Sequence, residues 1–124
     1  DYNRNLDAAG KATPAFEQSL FVWATVMSRP HADRAVVDAG LKALSVDSGN
    51  PVVTDYPDVV YARASDEHGK LEIRKPTEGF DVGDKIRLTP GHCDPTVNLY
   101  DWYVGIRRQQ VECLWPVAAR GALT

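Results

Sequence analysis

The sequence predicts a mainly β domain that folds as a barrel or a sandwich. About seven short apolar segments recur along the chain, and turn-forming Gly, Pro and Asp residues separate them. We find no long amphipathic helical pattern, no internal repeat and no low-complexity segment. At 124 residues the chain is one domain by length, and a domain of this size buries about two-thirds of its unfolded surface.

The first part of the chain predicts a connector followed by a long strand. Residues 1–15 are polar and contain Gly and Pro, so we expect a connector with one helical turn at Leu6–Ala9. The remaining residues, 16–124, form the predicted β-domain. Residues 19–29 are rich in β-branched and aromatic types, which predicts a strand that is buried on both faces and ends at Arg29-Pro30.

The later segments alternate between strand patterns and turn clusters. Leu41–Ser48 has no clear period and is ambiguous. In the turn Asp66–Gly69, which joins two strands, we expect Gly69 to supply a positive φ. The last two strands form a hairpin across Arg108–Gln110. The predicted strands after the first cover residues 34–40, 59–65, 70–74, 85–90, 101–108 and 110–117.

Composition limits the classes of partner. The net charge of -3 gives no basic surface, so we expect no nucleic-acid partner. No apolar run approaches the roughly 20 residues of a membrane helix, so we expect no membrane span. Two cysteines, Cys93 and Cys113, predict reduced thiols in a cytoplasmic protein, with one disulfide as the alternative. The chain starts at Asp1 without a leader, and we expect it to be part of a longer protein.

The segment PGHCDPT, residues 90–96, carries the strongest chemical signal. In an extended backbone, residues two apart share a face, so His92 and Asp94 would present an imidazole and a carboxylate together. This pair suits a divalent cation and leaves positions open for water and substrate. Two alternatives remain: Cys93 replaces Asp94 as the ligand, or His92 caps a loop while Asp94 forms an Asx-turn before Pro95.

Several stretches in the same order resemble one enzyme family. They are FEQSLFVWATVMSRP, AVVDAGLKALSVDSG, SDEHG and LTPGHCDPTVNLYDWYVGIRRQQVECLWPVAARG. Together they resemble the C-terminal domain of the D-threonine aldolase and D-serine dehydratase family, whose fold is of the alanine racemase type. The resemblance implies a C-terminal β-barrel or sandwich domain and an N-terminal barrel that this chain lacks. In the family that barrel carries pyridoxal 5'-phosphate and its Schiff-base lysine.

The resemblance also implies a reaction. Dehydratases of the family show H-x-C, whereas His92-x-Asp94 resembles the aldolases, which cleave D-threonine and other D-3-hydroxy amino acids to glycine and an aldehyde. Because carboxylate is a harder ligand than thiolate, we expect manganese, with magnesium, cobalt or zinc as alternatives. The alternatives to this lyase are a D-serine or D-threonine dehydratase and a non-catalytic metal-binding β module. Without the lysine we expect the chain alone to be inactive, and the parent to be a monomer or homodimer.

Further residues receive roles from the resemblance or from their type and position in the chain. Asp66 is the predicted catalytic residue, which would orient a metal-bound water or the substrate, whereas His68 is more typical of a structural turn. Asp38 and Lys42 predict a buried ion pair, with a place near the cofactor as the alternative. We expect Thr96 and Asn98 to hydrogen-bond the ligand loop. Arg120 would anchor the tail, and the three tryptophans would be core or interface anchors (Trp23, Trp102 and Trp115).

Overall fold

A computed structural model describes residues 6–11, 16–78, 80–118 and 120–122. All seven predicted strands are present in it, and two elements were not predicted: the two-residue strand β3 and the short helix α1. The elements are β1 Val22–His31, β2 Arg34–Val37, β3 Val52–Val53, β4 Val59–Ala64, β5 Gly69–Ile73, β6 Lys85–Thr89, α1 Cys93–Val97, β7 Trp102–Arg107 and β8 Gln110–Pro116.

Six strands form one antiparallel sheet in the order β3-β6-β1-β2-β5-β4. The two end strands, β3 and β4, also lie beside each other, so the sheet is nearly closed into a barrel. Asn50 supports this closure, because its side-chain amide donates to the carbonyls of Tyr61 and Ala62 in β4 at 3.1 Å each. The mainly β fold class is therefore confirmed.

Strand β1 lies between β6 and β2 in this sheet and pairs with both. Its first part, Val22–Thr25, pairs with β6, and its later part pairs with β2 through an irregular register. The prediction that both faces are buried was wrong, since burial alternates and the side chains of Trp23 and Met27 are exposed. Pro30 does not end the strand. It lies in the irregular stretch before His31, where a residue without an N–H is tolerated.

Most of the core lies on the inward-facing alternate positions of the sheet, and loop residues complete it. Tyr61, a hydroxyl-bearing aromatic in this core, is 1% exposed and donates to the carbonyl of Ala39 at 2.7 Å. Tyr61 also explains Gly69, where a Cβ would lie 2.3 Å from the tyrosine ring. The expectation that Gly69 has a positive φ was wrong; this close packing is the reason for the glycine. The buried apolar residues are Val22, Ala24, Val26, Ala35, Val37, Ala39, Leu44, Val53, Val59, Tyr61, Leu71, Ile73, Phe80, Ile86 and Leu88.

Strands β7 and β8 form a separate two-stranded hairpin. Its two-residue turn places Arg108 and Gln109 at φ 50 and 65°, the left-handed region that favours glycine or asparagine. Apolar side chains on both strands are exposed, including Trp102, Val104, Ile106, Val111, Leu114 and Trp115. All three tryptophans, Trp23 included, are more than half exposed, so they are not core residues. Their role as interface anchors stays a prediction.

The predictions for the chain ends and the cysteines have mixed outcomes. A helical turn at Leu6–Ala9 is not present; instead Gly10 N–H donates to the carbonyl of Asp7 in a tight turn. The rest of the predicted connector, at residues 1–5 and 12–15, lies outside the described residues. Arg120 ion-pairs with Asp101 at 2.5 Å, as expected for a tail anchor. No disulfide joins Cys93 and Cys113. In the part of the chain that the structure describes, no helix is long and apolar enough to cross a membrane.

Candidate metal centre

The predicted ligands lie at the start of α1. His92 is the N-cap residue with an extended backbone (φ -144, ψ 126°), and the helix begins at Cys93. The prediction of an extended backbone across residues 92–94 was therefore wrong beyond His92. Pro95 does not prevent the helix, because proline is tolerated in a first turn, where the backbone N–H has no helical partner.

This local geometry changes how the two side chains relate. Within a helix, residues two apart do not share a face. His92 is the N-cap and Asp94 is the second helical residue, so both lie at the start of the same helix. Asp94 is exposed and lies in the first turn, where a negative charge is favourable. The His92 ring makes no capping hydrogen bond, and its Nδ1 is in contact with a residue outside the helix.

The His92 ring is held by a residue that the sequence analysis missed. Nδ1 of His92 lies 2.7 Å from Oδ2 of Asp47. The carboxylate of Asp47 also accepts from the hydroxyls of Ser45 at 2.5 Å and Ser48 at 3.3 Å. The hydrogen bonds from Ser45 and from His92 lower the pKa of Asp47 to about 2. Asp47 belongs to the stretch Leu41–Ser48, whose lack of a clear period concealed it.

Thr96 of α1 hydrogen-bonds both to the backbone of His92 and to the loop that carries Asp47. Its hydroxyl donates to the carbonyl of His92 at 2.7 Å and accepts from the N–H of Ser45 at 3.1 Å. Thr96 is 2% exposed. The expectation that Thr96 hydrogen-bonds the ligand loop is confirmed. Asn98 is the C-cap of α1, and its backbone N–H donates to the carbonyl of Asp94.

The predicted catalytic residue lies in a different turn. Asp66 is exposed, and its backbone carbonyl accepts from the N–H of Lys42 at 2.8 Å. Gly40 fits beneath this turn so closely that a Cβ would lie 2.3 Å from the carbonyl oxygen of Ser65. The segment from Gly40 to Asp47 thus runs from the Asp66 turn to the His92 ring.

The predicted ion pair between Asp38 and Lys42 was wrong. Lys42 pairs with Glu67 at 2.7 Å on an exposed surface. The hydrogen bond between them raises the pKa of Lys42 and lowers that of Glu67. Asp38 instead accepts from the N–H of Thr25 at 2.6 Å, because the turn directs its carboxylate back to β1.

The structure places His92 and Asp94 at one helix start and Asp66 on a neighbouring turn. No cluster of three or more His, Cys, Asp or Glu side chains with metal-holding geometry is present among the described residues. A pair of protein ligands with open positions is the arrangement that the sequence predicts. The roles of His92, Asp94 and Asp66 stay predictions.

A comparison with protein-family models decides the family. Residues 19–106 match the model described as "Putative serine dehydratase domain". The chain belongs to this family. The matched range includes Asp66, His92 and Asp94, and the resemblance stated from the sequence is confirmed.

Curated relatives are much longer than this chain. It is 53% identical over 123 residues to 3-hydroxy-D-aspartate aldolase of Paracoccus denitrificans, covering 98% of this chain and 31% of that protein. It is 45% identical over 107 residues to D-threonine aldolase of an Arthrobacter species, covering 86% of this chain and 28% of the relative. The chain thus spans about a third of these relatives.

Solved structures show the same fold. D-threonine aldolase from Filomicrobium marinum superposes with a TM-score of 0.86 at 47% identity, covering 94% of this chain and 32% of that one. D-threo-3-hydroxyaspartate dehydratase from Delftia sp. HT23 superposes with a TM-score of 0.63 at 26% identity, covering 77% of this chain and 31% of that one.

One further relative is short. An uncharacterized protein of Mycobacterium tuberculosis is 32% identical over 121 residues, which cover 90% of this chain and 90% of that protein. Family members of about this length therefore occur.

Proposed function

We propose that this chain is the metal-binding β-domain of an aldolase that cleaves D-3-hydroxy amino acids to glycine and an aldehyde. The observation that carries the proposal is the 53% identity to 3-hydroxy-D-aspartate aldolase across 98% of the chain. D-threonine is one candidate substrate, and 3-hydroxy-D-aspartate, whose cleavage gives glycine and glyoxylate, is the other. Pyridoxal 5'-phosphate, bound by an N-terminal barrel, supplies the electron sink for breaking the bond to Cα.

The donor set at α1 fits a divalent cation. An imidazole and a carboxylate are ligands for manganese, cobalt or zinc. Because carboxylate is harder than thiolate, this pair favours manganese or magnesium more than a site with a cysteine ligand would. Solved forms of D-threo-3-hydroxyaspartate dehydratase include a metal-free form with a cysteine replaced by alanine, and one with a histidine two positions earlier replaced by alanine. The spacing of that pair equals the spacing of His92 and Asp94.

In the proposed reaction, this chain binds and orients. His92 and Asp94 hold the cation, which supplies Lewis-acid activation of the substrate hydroxyl. Asp66 orients the substrate or a water from the neighbouring turn. We expect the chain alone to be inactive, because the lysine for the cofactor lies in the barrel.

The exposed β7–β8 hairpin is a candidate contact surface for another domain or subunit. Large apolar side chains of β7 and β8 face solvent on both strands, and contiguous apolar surface of this kind marks contact sites. We propose that the N-terminal barrel of the same protein covers this surface, with a second subunit of a homodimer as the alternative.

Product analysis tests the reaction. The full-length protein is incubated with pyridoxal 5'-phosphate and manganese, first with D-threonine and then with 3-hydroxy-D-aspartate. We expect glycine in both cases, together with acetaldehyde or glyoxylate. Ammonia and a 2-oxo acid would instead place the protein with the dehydratases, and no turnover of either substrate would refute the enzymatic proposal.

A non-catalytic module is the second candidate function. The short mycobacterial relative favours it, because a protein of that length has no room for a second barrel domain. This candidate predicts that the native gene encodes no barrel beside the β-domain. The length of the native reading frame distinguishes the two candidates.

A further inference from the structure

We infer that Asp47 is a positioning residue for His92: it holds the imidazole as the Nδ1–H tautomer, which directs Nε2 toward the cation. The inference rests on the proposed function for the cation itself. Its geometric part, the orientation of the ring by Asp47, stands on contacts within this chain alone.

The chemistry of the contact fixes the tautomer. A neutral imidazole carries one N–H donor and one acceptor nitrogen, whereas an ionised carboxylate only accepts. Because Nδ1 of His92 and Oδ2 of Asp47 are 2.7 Å apart, the proton lies on Nδ1. In the neutral imidazole the lone pair then lies on Nε2, the nitrogen that remains for a metal ion. Carboxylates that hold ligand histidines in this way are a general feature of metal sites.

Asp47 is itself held in place. Its Oδ1 accepts from the hydroxyl of Ser45 at 2.5 Å, and Ser45 N–H donates to the hydroxyl of Thr96. Thr96 in turn donates to the carbonyl of His92. The hydrogen bonds therefore form a closed ring that begins at the His92 side chain and ends at the His92 backbone.

This closed ring separates Asp47 from an ordinary surface ion pair. The side chains of His92 and Asp47 are 33% and 51% exposed, and a lone pair with such exposure would contribute little. Here, however, the carboxylate and the backbone of the histidine are fixed through the same buried threonine. Rotation of the His92 ring would break its hydrogen bond to Asp47, which is one link of this closed ring.

The tautomer is measured directly in the full-length protein. Histidine is labelled with ¹⁵N, and two-bond ¹H–¹⁵N spectra are recorded in mildly alkaline solution without metal; the spectrum of His92→Gln assigns the signal. We expect the Nδ1–H tautomer in the wild type and a mixture dominated by Nε2–H in Asp47→Ala. Asp58→Ala is the matched control, since Asp58 forms a comparable exposed pair with Lys75 at 3.1 Å.

Binding of Mn²⁺ alone is then titrated by electron paramagnetic resonance. We expect Asp47→Ala to weaken binding roughly 10–100-fold and Asp58→Ala to leave it unchanged. Asp47→Asn, which keeps an acceptor oxygen, should retain the tautomer and lose less affinity. This second variant also guards against a folding defect in the alanine variant.

The outcomes separate this inference from the proposed function. An Nδ1–H signal that persists in Asp47→Ala, or equal Mn²⁺ affinity in Asp47→Ala and the wild type, overturns the positioning role. Absence of Mn²⁺ binding by the wild type overturns the metal part of the proposed function, whereas the change of tautomer in Asp47→Ala would still support the role of Asp47 in orienting the ring.

Discussion

Replacing Thr96 with valine removes one buried hydroxyl and keeps nearly the same shape. That hydroxyl makes two hydrogen bonds, to the carbonyl of His92 and from the N–H of Ser45, in a position only 2% exposed. Each bond contributes about 1 kcal/mol net, and water has little access to replace it. We therefore expect Thr96→Val to lower the free energy of unfolding by about 2 kcal/mol.

Urea unfolding of the chain, followed by circular dichroism, measures this change. The midpoint should fall while the slope m stays the same, since the surface exposed on unfolding is unaltered. Thr54→Val is the matched control, because the Thr54 hydroxyl shares its bond with Thr89 in an exposed position. We expect the control to change stability by less than about 0.5 kcal/mol. Equal effects of the two substitutions would refute the importance of the Thr96 contacts.

Three further predictions concern the framework around the site. Burial raises the pKa of Tyr61 from 10.0 to about 12, so the folded state keeps the phenol proton to a higher pH than the unfolded state does. This contribution to stability should be fully present below pH 10 and fall by up to about 1.4 kcal/mol per pH unit as the pH rises to about 12. Urea titrations at several pH values should show a weaker fall in Tyr61→Phe. Gly40→Ala places a Cβ against the backbone of Ser65 and should cost roughly 1–3 kcal/mol or more in the same assay; an unchanged midpoint would contradict the close packing. Replacing Arg108-Gln109 by Asn-Gly places residues that tolerate a positive φ at both turn positions and should slow hydrogen exchange of the β7–β8 amides; faster exchange would contradict the turn geometry.

Much of the fold follows from local pattern. Alternating apolar residues in segments such as KIRLT and turn residues between segments predict strands, because both signals act within a few residues. Strand β3 lacks this signal, since two residues carry no period. The burial of β1 was predicted wrongly because its apolar outward residues, Trp23 and Met27, look like core residues in sequence.

Local pattern is also insufficient to predict the whole candidate metal centre. His92 and Asp94 are only two positions apart in sequence, so their pattern is visible without a structure. Asp47 is 45 residues from His92 and is brought to it only by folding. The helix at Cys93–Val97 was also missed, because Pro95 reads as a breaker unless the first turn is known to begin just before it.

The metal-dependent reaction is tested most directly by adding metal back to the stripped enzyme. The full-length protein, loaded with pyridoxal 5'-phosphate, is treated with a chelator and given D-threonine or 3-hydroxy-D-aspartate, with and without Mn²⁺. We predict that Mn²⁺ restores glycine release in the wild type and not in His92→Ala or Asp94→Ala, while the cofactor absorbance stays the same in all three. Full activity of the stripped wild type, or Mn²⁺-restored activity in both variants, would contradict a metal centre at the start of α1.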